Sequence, residues 1–146
     1  VKAEAFVNSL DSERIVAAIG EAEARSRGEI RVHVAEGAVD DARAAAEADF
    51  ERLGMTRTAE RNGVLILVAP HSQTCAVIGD RGIDERCEAG FWATVVEAMS
   101  AQLRAGRFTE GILAAVKAVA DELEHHFPRR PGETDVNELP DTISRG

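Results

Sequence analysis

The residues whose types and spacing best suit chemistry are Gly79-Asp80-Arg81-Gly82-Ile83-Asp84. They place two carboxylates on one short loop between two glycines. Glycine tolerates tight or left-handed backbone, so such a loop can gather carboxylates and carbonyls. A hard cation, calcium above all, takes several such oxygens at roughly 2.3–2.6 Å. Asp40, Asp41 and Asn62 are further oxygen donors, provided the loops at the strand ends converge. The spacing is not that of an EF-hand, and a plainer reading makes Asp84 a helix cap and Asp80 a turn residue.

Other chemistry is less well supplied. Arg61 and Arg81 could hold a phosphate, but Asp80 and Asp84 would repel it unless a metal lay between them. No Walker-type or G-x-S-x-G motif is present. Glu122, His125 and His126 have metal-compatible spacing, yet they fall in the last turn of a helix, where His suits the dipole. His33 reads as an exposed residue on the polar face of a strand. Cys75 and Cys87 lack the CxxC or paired His of a zinc site and lie too far apart along a strand to bridge, so they read as free thiols.

The elements that position these groups follow from the hydrophobic pattern. Residues 11–27 form an amphipathic helix capped by Asp11 and ended by Gly28. Residues 29–35 alternate apolar and polar, as an edge strand does. Asp41 opens a helix that Gly54 closes. Gly63-Val64-Leu65-Ile66-Leu67-Val68-Ala69 is apolar without interruption and reads as a strand buried on both faces. The short turn from Pro70 to Gln73 makes Thr74–Ile78 its antiparallel partner. One long helix is expected from Glu85 to Ala105, with Trp92 and Phe91 in the core. Thr109 caps another, which Pro128 ends.

Helices must cover both faces of the buried strands. The expected fold is therefore a three-layer α/β/α sandwich with a small mixed sheet flanked by amphipathic helices. Residues 1–128 form the domain, and 129–146 an irregular acidic tail.

Composition narrows the function classes. The chain has 146 residues, 45% of them hydrophobic, and a net charge of −9. Such acidity disfavours nucleic acid and anionic membrane, and it permits cations or a basic protein partner. No run is long enough to span a membrane and no signal segment is visible, which points to the cytoplasm; the start at Val1 leaves an earlier targeting segment open.

Several segments, in order, resemble the TPM domain family, named from thylakoid-lumen, photosystem-II-repair and receptor-modulator members. They are Gly28-Glu29-Ile30-Arg31-Val32, Arg61-Asn62-Gly63-Val64-Leu65, Gly79-Asp80-Arg81-Gly82-Ile83 and Gly106-Arg107-Phe108-Thr109-Glu110-Gly111. The resemblance covers roughly residues 11–128. Asn137-Glu138-Leu139-Pro140-Asp141 looks like the end of a short, anchorless bacterial subgroup. The resemblance implies a three-layer sandwich. It also implies one of three roles: a divalent-cation site, a protein-interaction module, or a metal-assisted acid phosphatase. Where the commoner family loop reads Thr-Gly-Tyr-Gly, this chain has Gly79-Asp80-Arg81-Gly82. The residues alone leave open whether it is an enzyme.

The fold reading has a direct test. Ile66→Asp would bury an unpaired charge at a cost of several kcal/mol. Against a total stability of about 5–15 kcal/mol, circular dichroism should show a largely unfolded variant; a native-like melt would place this run at a solvent-facing edge.

Overall fold

A computed structural model describes residues 2–129 and 143–146. The uninterrupted apolar run forms β2 (Gly63–Ala69), and all seven of its residues are buried. Val64, Ile66 and Val68 face one core, with Ile15, Ile19, Met99 and Leu123. Leu65, Leu67 and Ala69 face the other, with Ala46, Phe50 and Met55. The helices behind the first core are α1 (Ala3–Ser9), α2 (Ser12–Arg25), α5 (Phe91–Arg104) and α6 (Phe108–His126). Behind the second lies α3 (Ala42–Arg52). The three layers are those expected from the apolar periodicity.

β1 (Glu29–Val34) runs parallel to β2, and β3 (Thr74–Gly79) pairs with β2 as an antiparallel hairpin. The strand order is β3-β2-β1-β4, a mixed four-stranded sheet. Asp11 caps α2 by accepting from the Arg14 amide, and Asp41 caps α3 by accepting from that of Ala44. Gly54, just past α3, takes the left-handed backbone expected of it (φ 71°).

Several local expectations are corrected. α1 lies before the first expected helix. α2 stops at Arg25, three residues before Gly28. The single helix over 85–105 is instead a short α4 (Arg81–Asp84), a break, and α5. Gly90, at φ 86°, makes the break, and Cys87 falls within it rather than in a first helical turn. Phe91 and Trp92 are only half-buried. Thr109 lies inside α6 and accepts a hydrogen bond from the Asp11 amide, tying two helix starts together.

The largest correction concerns β1, which is not an edge strand. Ser144–Arg145 of the tail form β4, parallel to β1 beside His33 and Val34. The expected irregularity of 130–142 lies outside the described residues. Further along the same side of β1, the buried Glu23 carboxylate accepts from the Ile30 amide at 3.0 Å. A side-chain acceptor thus satisfies a strand-edge donor. His33 is consequently 1% exposed, not solvated. Its Nδ1 lies 2.7 Å from the Ser144 hydroxyl, and its Nε2 faces Arg52 at 3.4 Å and Asp49 at 3.8 Å.

Burial pushes the His33 pKa down, with Arg52 and Arg31 acting the same way; Asp49 and the Gly146 backbone oppose them. A histidine held below its unfolded pKa binds its proton more readily when unfolded. Its contribution is fully present above the unfolded value, about 6.5, and is lost as pH falls toward the folded one. Urea titrations from pH 7.5 to 5 should show falling stability, with a shallower slope in His33→Gln. Equal slopes would mean that other groups set the acid response.

Candidate functional site at the α4 end of the sheet

The β2–β3 hairpin builds the site. Antiparallel register places Gly79 opposite Val64, so the next residue, Asp80, meets the lead-in to β2. The Asp80 amide donates to the Gly63 carbonyl at 2.9 Å. Asp80 is 7% exposed, and its side chain caps α4 through the Arg81 amide at 2.8 Å. Arg61 grips the same carboxylate with two bonds, Nε to Oδ2 at 2.6 Å and Nη2 to Oδ1 at 2.9 Å. Such a fork supplies both charge and direction. The bond to Asp80 raises the Arg61 pKa, with burial opposing it in part.

Arg61 holds this position from left-handed backbone (φ 52°), which is uncommon for a residue with a Cβ. Its amide donates to the Thr58 carbonyl, and its own carbonyl accepts from the Gly82 amide at 2.8 Å. Gly82 is needed here for closeness rather than for a left-handed turn. A Cβ there would overlap the Glu60 carbonyl oxygen and come within 2.6 Å of that of Arg61. Gly79 is likewise not left-handed; a Cβ would stand 2.5 Å from the Trp92 ring.

Asp84 ends α4 rather than capping the long helix, and its Oδ1 accepts from the Trp92 indole at 2.8 Å. Asn62 is 1% exposed; its Nδ2 donates to the Arg27 carbonyl, while its Oδ1 is buried without a hydrogen-bond partner. Such an orphan acceptor is rare in a folded chain.

The five expected oxygen donors are not brought together. Asp80 and Asn62 flank the start of β2, and Asp84 follows one helical turn later. Asp40 and Asp41 lie beyond the far end of β1, where the neighbouring Val39 amide donates to Ser72 in the hairpin turn. The length of the sheet separates the two sets. Among the described residues, no three His, Cys, Asp or Glu side chains stand close enough to hold a metal ion by themselves. Glu122 and His126 pair with each other at 2.7 Å. Cys75 and Cys87 are free thiols. Burial, with Glu122 and Asp84 nearby, pushes Cys87 up to about 11, which disfavours a thiolate.

Sequence reasoning picked out Arg61 and Asp80 separately and missed their pairing. The signal was available in the hairpin register, which alone sets Asp80 beside Gly63.

These features define a small α/β domain whose candidate ligand loops sit at one end of a mixed sheet. The chain belongs to the TPM domain family, whose model matches residues 1–122. It is similar to the BA42 protein of the psychrophilic bacterium Bizionia argentinensis, solved by NMR: 36% identical, covering 92% of each chain, with a TM-score of 0.83. It also shares its fold with the N-terminal domain of the cg2496 protein from Corynebacterium glutamicum, at 16% identity and a TM-score of 0.60, covering 80% of this chain and 75% of that one. No curated protein matches the chain. No helix among the described residues is long and apolar enough to cross a membrane.

Gly82→Ala tests the docking of α4 on the 58–62 turn. Backbone carbonyls cannot yield as a side chain does, so overpacking should cost about 1–3 kcal/mol. For a chain of this length that lowers the melting temperature by about 3–10 °C; an unchanged melt would show that the two segments are not held in contact.

Proposed function

We propose that the domain is a binding module rather than a catalyst. Its α4 end takes a divalent cation, calcium first, with Asp80 as principal ligand and Asp84 and Asn62 as further oxygens. The observation that carries this reading is the Arg61–Asp80 pair. A nearly buried carboxylate is neutralised by one guanidinium whose side chain is 33% exposed. That side chain can swing into solvent, leaving Asp80 to a hard cation. The unpartnered Asn62 Oδ1 supports a neutral oxygen donor close in sequence to the pair. With so few carboxylates, affinity belongs in the weak range, roughly 10⁻⁴–10⁻³ M. Exchange of Arg61 for the cation would also change the surface offered to a protein partner, which makes the module cation-responsive.

A metal-assisted acid phosphatase is the alternative that the family suggests. Less supports it here. Asp80 is engaged by Arg61, and the hydrogen bonds around it contain no Ser or Cys nucleophile paired with a base.

Thermal melts in calcium, magnesium and chelator test the proposal. Calcium at ten times its dissociation constant should raise melting by about 3–5 °C. Asp80→Asn/Asp84→Asn should abolish the rise, and Asp40→Asn/Asp41→Asn should keep it. An unchanged wild-type melt at about 10 mM calcium, tenfold above the weakest affinity in the proposed range, would sink the cation site. Metal-dependent turnover of an aryl phosphate at acid pH, lost in Asp80→Asn, would favour the enzyme.

A further inference from the structure

A second site lies at the opposite end of the hairpin. β3 is the outer strand on its side of the sheet, and its first residues lie beneath the end of α5 and the start of α6. Between these elements and α1 is a cavity of about 680 Å³. That is within the usual range for small-molecule sites, about 300–1,000 Å³. Phe6, Val96, Leu103 and Phe108 supply an apolar wall. Phe6 and Phe108 pack ring to ring, with centroids 4.8 Å apart.

Its polar lining is Gln73, Thr74, Cys75, Ser100 and Arg104. The Ser100 hydroxyl and the Cys75 thiol lie 3.1 Å apart. Burial pushes the Cys75 thiol up, so it stays neutral and places no negative charge in the cavity. Arg104 follows Ser100 by one helical turn, lines the same cavity, and is near enough for its charge to be felt at Cys75. Arg104 is exposed, and among the described residues its side chain has no ion-pair or hydrogen-bond partner, in a chain of net charge −9. Arg104 is the single charged group among the lining residues, beside the hydroxyls of Thr74 and Ser100 and an apolar wall, and this combination calls for an apolar ligand with a single anionic head.

We propose that this cavity binds a medium-chain carboxylate. Its hydrocarbon tail lies along Phe6, Val96, Leu103 and Phe108, and its carboxylate meets Arg104 and the Ser100 hydroxyl. The lining offers one charged side chain, Arg104, which suits a singly charged head better than a phosphate monoester carrying close to two charges. The inference is independent of the cation site, since the two lie at opposite ends of the β2–β3 hairpin.

Titration with decanoate and with decanol, followed by amide NMR in chelator, tests it. Decanoate should give saturable shifts at Thr74, Cys75, Ser100, Arg104 and Phe108, at submillimolar concentration. Arg104→Gln should weaken decanoate roughly tenfold, the equivalent of about 1.4 kcal/mol, and leave decanol unchanged. Ser100→Trp should block both ligands; Val96→Phe, a smaller obstruction, serves if the first variant does not fold. Absence of saturable shifts, shifts confined to other residues, or blocking variants that bind as wild type would overturn the proposal. Equal weakening of both ligands by Arg104→Gln would overturn the carboxylate assignment.

Discussion

Burial of β2 on both faces is the constraint on which the rest depends. A seven-residue strand with no polar alternation requires apolar cover above and below. The helices α2, α5 and α6 on one side, and α3 on the other, supply it. Their positions decide where the loops emerge. β1 must run parallel to β2 because α3 crosses between them, and β3 must return antiparallel because only a short turn connects it. That arrangement sends Asp80 to the start of β2, next to Arg61 and Asn62. It sends Asp40 and Asp41 to the other end.

Charge is handled within this frame group by group. The acidic chain buries few carboxylates, and those at the sheet have specific partners. Asp80 receives Arg61 and the first turn of α4. Glu23 receives a strand-edge amide. A buried charge with its partner removed is costly, and replacing one partner by another is far less so. Under the proposed reading, the Arg61–Asp80 pair is therefore the point at which a cation would act. The rigid surroundings, with Gly82 packed on two carbonyls, keep Asp80 in place while the Arg61 side chain has solvent to move into.

Much of this was legible in local pattern. The two-faced strand, the hairpin, the Asp11 and Asp41 caps and the Gly54 stop each depend on neighbours a few residues away. β1 was misread because its polar alternation resembles an edge, and its covering strand comes from residues more than a hundred positions later. His33 was misread for the same reason. The break before α5 was hidden because 85–89 carry no strong breaker, and a lone glycine such as Gly90 is compatible with a helical pattern. At the site, Asp80 and Asn62 were legible as residue types. The Arg61 fork, the orphan Asn62 oxygen and the Trp92–Asp84 bond depend on side-chain geometry that periodicity does not encode. The cavity beside β3 was equally hidden, since its wall comes from α1, α5 and α6 together.

The most direct test of the cation reading watches the Arg61 side chain itself. Its Nε–H signal can be followed by NMR while calcium is added. The account predicts that the hydrogen-bonded Arg61 signal moves toward that of a solvent-exposed arginine as calcium saturates, in step with a change at the Asp80 carboxyl carbon. An Arg61 signal that stays fixed while calcium shifts only the amides around Asp40 and Asp41 would contradict it.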